Sequence, residues 1–318
     1  MKKYFFAASL ICFSSYSFSL EHCNANKLMK IEGDVSLLGN CSFKGRAVIE
    51  KSNTHLNCNG SEFSPAADEN VGLYIDSKGK ELRNISVKNC KFIGYKSNGI
   101  RIAWSGSDVG KSGKVEELYY KTPRDIVIDN VEVRRSGRVG IFFDDYVSNV
   151  VLSNSVIERS QGAGIYLEHG SKNISIISNK ITLNGLERNR EGLAIDSSAS
   201  NIINGNTFYS NKIGGIFLYK NCGEHFSSGK QVLRWQHSNE NIIKNNTFIN
   251  EKVGIHLASR QKKDLRKMGC GDPMINERGW YADYADFNSV VDNKFCRTKV
   301  PVKDNGRGNK IARNVVAC

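Results

Sequence analysis

Short runs of alternating aliphatic and polar residues recur along this chain at intervals of about 24 positions. NISVKNCKF (84–92), DIVIDNVEV (125–133), NVVLSNSVI (149–157), NISIISNKI (173–181), NIINGNTF (201–208), NIIKNNTF (241–248), NSVVDNKF (288–295) and NKIARNVV (309–316) share one pattern: a polar start, alternating aliphatics, an Asn and a second apolar run. Alternation over so few residues has the period of a strand, not of a helix. A further short strand follows most copies, opening at Gly99-Ile100, Gly140-Ile141, Gly164-Ile165, Gly192-Leu193, Gly215-Ile216 and Gly254-Ile255. Each repeat is therefore three short strands joined by bends, and such strands bury their apolar faces only when repeats stack. The pattern predicts an all-β, single-domain parallel β-helix, right-handed because parallel crossovers favour that hand.

The recurring Asn89, Asn130, Asn154, Asn179, Asn206, Asn246, Asn293 and Asn314 are expected to stack at one bend, each amide bonded to the next. Residues 20–75 read as less regular coils and a cap, which the unpaired end of a solenoid requires.

Aligning the repeats on the Gly-Ile step turns sequence into columns. If Ile141, Ile165, Leu193, Ile216 and Ile255 point inward, the residues between them and their partners two places on face outward. One outward column then runs Arg101, Phe142, Tyr166, Ala194, Phe217, His256. The next runs Ala103, Asp144, Glu168, Asp196, Tyr219, Ala258, and the one after it Trp104, Asp145, His169, Ser197, Lys220, Ser259. Glu168 thus has Asp144 and Asp196 as neighbours at coil spacings of about 4.8 Å. Stacked carboxylates repel, which favours a raised pKa or a bound cation, and hard oxygen ligands make calcium the candidate ion. The plainer alternative is a set of turn residues pointing into water.

Three insertions, 103–124, 220–240 and 259–287, all follow the Gly-Ile strand and are expected to wall a groove over these columns. They contain Trp104, Trp235 and Trp280, with Tyr119, Tyr120, Tyr281 and Tyr284; such rings either stack on sugars or form the small core of their own loop. Arg260, Lys262, Lys263, Arg266 and Lys267 add a basic cluster.

Composition narrows the setting. Residues 1–19 have a basic start, a short apolar run and a small-residue end, the pattern of a cleaved signal peptide, so a periplasmic or secreted protein is expected. Eight further cysteines, without CxxC spacing, favour disulfides over structural zinc. Proximity in the repeat alignment suggests Cys222 with Cys270, Cys296 with Cys318, Cys23 with Cys41 and Cys58 with Cys90. The formal charge of +13 suits a polyanionic partner. Export and the stacked acids favour an acidic polysaccharide over nucleic acid, no stretch is long enough to span a membrane, and a monomer is expected.

The N-x-I-x-x-N-x-I and G-I-x-L repeats resemble the right-handed parallel β-helix, or pectate-lyase-like, superfamily over roughly residues 30–318. That superfamily includes uronate lyases, mannuronan C5-epimerases, polygalacturonases, phage tailspikes and a maturation protein of nitrous oxide reductase. The Asp-Pro-His-Asp motif of the mannuronan epimerases is absent. The resemblance implies a glycan-binding groove and three outcomes for it. Lyase or epimerase chemistry would use Lys220 or His169 as base, Arg101 or Arg260 to neutralise a sugar carboxylate, and Tyr166 or Tyr219 as proton donor. Hydrolysis would use the stacked Asp144, Glu168 and Asp196, which one coil apart fall near the ~5 Å separation of retaining enzymes and two coils apart near the upper end of the inverting range. A binding or maturation protein would use Arg101, Trp104, Tyr166, Tyr219, Trp235, His256, Arg260 and Trp280 only to hold a chain.

Overall fold

The computed structural model describes residues 18–20, 28–67, 69–105, 114–221, 236–260 and 283–318. Among these, three parallel sheets of eleven, ten and ten strands wind around one core. One coil shows the plan: Ser148–Ser153 lies in the first sheet, Val156–Glu158 in the second and Ile165–Leu167 in the third, and Lys172–Ile177 begins the next coil beside the first strand. Coils between residues 29 and 76, expected to be less regular, contribute to all three sheets in the same order. A strand at Phe18–Leu20, overlapping the end of the expected signal segment, pairs with Asp34–Leu37.

Register follows the Gly-Ile alignment. Ile100, Ile141, Ile165, Leu193, Ile216 and Ile255 pair in one inward row, and Arg101, Phe142, Tyr166, Ala194, Phe217 and His256 in the outward row beside it. The glycine before each inward residue is needed for close approach: a Cβ on Gly164 would lie 2.7 Å from the Gly192 carbonyl and 2.7 Å from the Asn184 amide. Rows of identical side chains fill the interior, including Phe208, Phe248 and Phe295, stacked at 4.9 Å between successive centroids.

Each bend is closed by a buried polar ladder. At the corner between the first and second sheets, the backbone N–H and side-chain amide of Asn179 both donate to Asn206 Oδ1, and Asn206, Asn246 and Asn293 repeat this to Asn314. The eight aligned asparagines in fact occupy two positions. Asn89, Asn130 and Asn154 are the left-handed bend residues, with φ of 56°, 50° and 52°, whereas Asn179 and those after it sit one place later and turn inward. A second ladder, Asn184 to Asn211 to Glu251, closes the next corner, and a third, Asn201 to Asn241 to Asn288 to Asn309, closes the last.

Two of the expected disulfides are present, Cys58–Cys90 and Cys296–Cys318, each joining adjacent coils. Closing loops of these lengths stabilises by about 3 to 4 kcal/mol each on the chain-entropy account. Cys41 is disulfide-bonded as well. Cys23, Cys222 and Cys270 lie outside the described residues.

Glu251 ends its ladder with a carboxyl where other coils have an amide. Burial pushes its pKa from 4.5 up to about 7, against the bonds from Asn211. The neutral form is therefore preferred in the fold: the resulting stability is complete below about pH 4.5 and is lost as pH rises through about 7. Glu251→Gln should leave stability at pH 4 nearly unchanged and raise it at pH 9 by up to about 3 kcal/mol. Denaturant titrations of both proteins at the two pH values check this, and an equal effect at both would contradict it.

Candidate functional site

The third sheet carries the site on its outer face, where a cavity of about 690 Å³ is lined by Arg101, Phe142, Asp144, Asp145, Tyr166, Glu168 and His169, with Arg138, Arg188 and Arg190 at its margins. Leu167 ends its strand inward, so Tyr166 and Glu168 project to the opposite side and His169 follows at the turn. That turn is fixed by Ser171, whose N–H and hydroxyl donate to the Glu168 carbonyl at 3.1 and 2.6 Å.

These side chains face away from the core, yet they are not open to water as the alternation implied. Glu168 is 7% exposed, His169 2% and Asp196 0%. The difference lies in what covers the sheet. Helix Val115–Lys121, inside the first insertion, sends the Tyr119 hydroxyl to the Gly170 carbonyl at 2.5 Å and sets its ring against Tyr146, which in turn meets the His169 ring edge-on at 5.3 Å. Gln236 donates to the Ser171 and Ser197 carbonyls at 2.9 and 3.0 Å.

The stacked carboxylates diverge to different partners. Asp144 Oδ2 accepts from Arg101 Nε at 3.1 Å, and Arg101 also lies 5.4 Å from the Phe142 ring centroid. Glu168 Oε1 accepts from the His169 N–H at 3.1 Å. Asp196 accepts from the Tyr166 hydroxyl at 2.6 Å and the Asn221 N–H at 2.7 Å. Among the described residues no three His, Cys, Asp or Glu side chains converge as a metal cage, and the column does not fit a calcium site.

A second group of the expected residues lies behind the groove. Arg190 separates the two: its guanidinium is 5.5 Å from the Tyr166 ring centroid, 2.9 Å from Glu191 Oε1 and 2.6 Å from the Tyr219 hydroxyl. Tyr219 donates to Glu191 at 2.9 Å, and burial, then the Glu191 charge, hold its pKa well above 10. Arg260 lies over the ring of Tyr219, 4.1 Å from its centroid. Tyr219, Lys220 and Asp196 are thus buried beside the half-buried Arg260, and none of the four lines the cavity. His256 lies further along the sheet, edge-on to Phe217 and 3.0 Å from the Asn305 amide; burial, then Lys303, lowers its pKa to about 4.

Trp104 does not line the groove either. It packs on the preceding coil, so close that a Cβ on Gly79 would lie 2.6 Å from its Nε1. Trp235, Trp280, Tyr281 and Lys262, Lys263, Arg266 and Lys267 lie outside the described residues. The aromatic surface that does line the cavity is Phe142 stacked on Tyr166 at 5.3 Å, and column alignment had already placed Phe142 there. Arg138, Arg188, Arg190 and Glu191 come from bends between the second and third sheets, outside the aligned strands. One trace of them was visible: Leu193 follows Ile165 by 28 positions, whereas Ile165 follows Ile141 by 24 and Ile216 follows Leu193 by 23.

Three parallel sheets around one core, with a polar cavity on the outer face of the third, define a β-helix protein with a surface site. Residues 72–267 match the family described as right handed beta helix region, more than half of the chain, and the protein belongs to that family. No curated protein matches the sequence. Among solved structures, a double mutant of the periplasmic alginate epimerase AlgG is similar with a TM-score of 0.54 and 15% identity, over 91% of this chain and 70% of that one. The alginate lyase from Paenibacillus sp. str. FPU-7 gives 0.57 and 14%, over 91% and 98%. The lacto-N-biosidase from Eubacterium ramulus gives 0.61 and 14%, over 90% and 50%. At such identities the likeness is one of fold.

Asp283 holds the buried cluster together. Its two oxygens accept from the N–H groups of Lys220 and Arg260 at 2.7 and 2.6 Å, across two coils, and burial pushes its pKa up to about 7. Asp283→Ala leaves two N–H groups to find new acceptors and should cost on the order of 3 kcal/mol at pH 6. Denaturant unfolding measures this, and a loss below about 0.5 kcal/mol, the level of an ordinary surface substitution, would contradict the assigned role.

Proposed function

We propose that this protein acts on an acidic, uronate-containing polysaccharide in the groove of the third sheet, as a lyase or C5-epimerase. Four guanidinium groups, Arg101, Arg138, Arg188 and Arg190, around Tyr166, Glu168 and His169 carry the assignment. Guanidinium forks bind carboxylates bidentately, and the stacked Phe142 and Tyr166 rings offer an apolar face to a pyranose. Two of the structural neighbours are by name an alginate epimerase and an alginate lyase, which supports the substrate class. The disulfides support an oxidising compartment, periplasmic or extracellular.

The groove narrows the roles. Arg188 neutralises the sugar carboxylate, which lowers the barrier to removing the C5 proton; Arg101 and Arg190 contribute less, being held by Asp144 and Glu191. His169 takes that proton as base. In a lyase the C5 electron pair forms the C4–C5 double bond, the C4–O4 bond breaks, and O4 leaves with the phenolic proton of Tyr166. Asp196, bonded to Tyr166 at 2.6 Å, orients that hydroxyl. In an epimerase the carbanion instead receives a proton on the opposite face. Asp144, Asp145 and Glu168, all in the same cavity, favour a glycoside hydrolase as a second reading.

Purified protein incubated with a panel of polyuronates, with and without chelator, separates these readings. Ultraviolet absorbance of unsaturated ends marks a lyase, altered C5 configuration without shortening an epimerase, and reducing ends without that absorbance a hydrolase. His169→Gln and Tyr166→Phe should each lower turnover by about a hundredfold or more with the circular dichroism unchanged. Full activity in both variants would overturn the assigned roles, and hydrolysis products would overturn the lyase–epimerase reading.

A further inference from the structure

Among the described residues, the groove is closed at one end. Its lining comes from the coils of Asn98–Ala103, Val139–Phe143 and Ile165–Leu167, and then stops at Arg188 and Arg190. On the following coil Ala194 and Asp196 occupy the same outward columns with no exposed surface; beyond Asp196, Tyr219 is 2% exposed, and beyond Ala194, Phe217 is half-buried. A sugar chain lying along the sheet meets a wall there.

The wall is built into the backbone. It is the longer bend between Thr182 and Leu193, and it is pinned to the coils beneath: the Gly185 N–H donates to the Ser160 carbonyl at 2.9 Å, the Arg188 N–H to Gln161 at 3.0 Å, and Arg188 Nε to Gly137 at 3.3 Å. Behind it, the contacts of Arg190 with Glu191 and Tyr219 hold the guanidinium against Tyr166. The other end differs. There the outward column continues through Arg101, whose side chain is 39% exposed, to the half-buried Tyr74 on the preceding coil.

Resting on the acidic-glycan reading above, we infer that the groove takes the terminus of a uronate chain, with the end sugar against Arg188 and Arg190, and does not bind chain interiors. A terminal carboxylate meets two cations at the wall, while the rest of the chain leaves past Arg101. The protein is then an end-acting enzyme or an end-binding protein, and the bend at 183–192 is its specificity element.

Binding stoichiometry tests this without relying on turnover. A short oligouronate and a much longer chain of the same polymer are titrated into the wild type and into His169→Gln, the latter so that cleavage does not shorten the ligand. The expected result is one protein per chain at both lengths, with binding lost when one terminus is blocked by a bulky label; labelling the reducing and non-reducing ends separately identifies which. Deleting Leu186–Asn189, which brings the bend to the length of its neighbours, should let protein accumulate along the long chain. Stoichiometry rising with chain length in the wild type would overturn end recognition while leaving the acidic-glycan assignment intact. Absence of binding to any polyuronate would overturn both. If the deletion variant fails to fold, the wild-type titration still decides.

Discussion

A chain that turns inward at every corner must satisfy its backbone polar groups without water, and the Asn ladders meet that requirement in this protein. Each rung presents an acceptor to the N–H of the rung before it and returns a side-chain donor to a backbone carbonyl, as Asn206 does with Asn179 and with the Ile176 carbonyl. An unpaired buried amide costs about 1 to 3 kcal/mol, so a missing rung is expensive and a filled one fixes the register of the coils on either side. In the earlier coils, where Val131 and Ser155 precede the ladder, serine hydroxyls take over the same task. The aliphatic and phenylalanine rows then stack because the ladders have set where each coil lies.

With the register fixed at the corners, the bends become free to vary, and the site is assembled from that variation. The strands supply Phe142, Tyr166 and Arg101 at known heights, and Glu168 and His169 come from the turn just past a strand end. The bends between the second and third sheets supply the cations that define the cavity, and the helix of the first insertion seals one flank. Buried charge is tolerated because it is paired in a chain of contacts from Arg190 through Glu191 and Tyr219 to Arg260.

Much of this was legible from residues alone. Period-two alternation and the Gly-Ile step are consequences of strand geometry, so they located the sheets, the outward columns and the cavity-lining Asp144, Glu168, His169 and Tyr166. Alternation reports direction relative to the core and nothing about what lies on top. That is why Asp196, Tyr219 and Lys220, correctly placed in their columns, turned out sealed. Trp104 misled for a related reason: an aromatic ring near a groove packs first on whatever backbone passes close by, here the turn at Gly79. The marginal arginines sit in bends without periodicity, where only the anomalous spacing before Leu193 left a mark.

The ladders also confer a polarity and a module. From Asn179 to Asn293 each rung's backbone N–H and side-chain amide donate to the Asn of the following coil, while the same amide also donates back to a carbonyl of the preceding coil. A rung meets only the rungs directly before and after it. A whole coil gained or lost by duplication or deletion would therefore leave every ladder continuous, whereas a change of a few residues within a strand would break three at once. The unit of evolutionary change in this architecture is the complete turn, and the number of turns sets the length of the outward face independently of the bends between them.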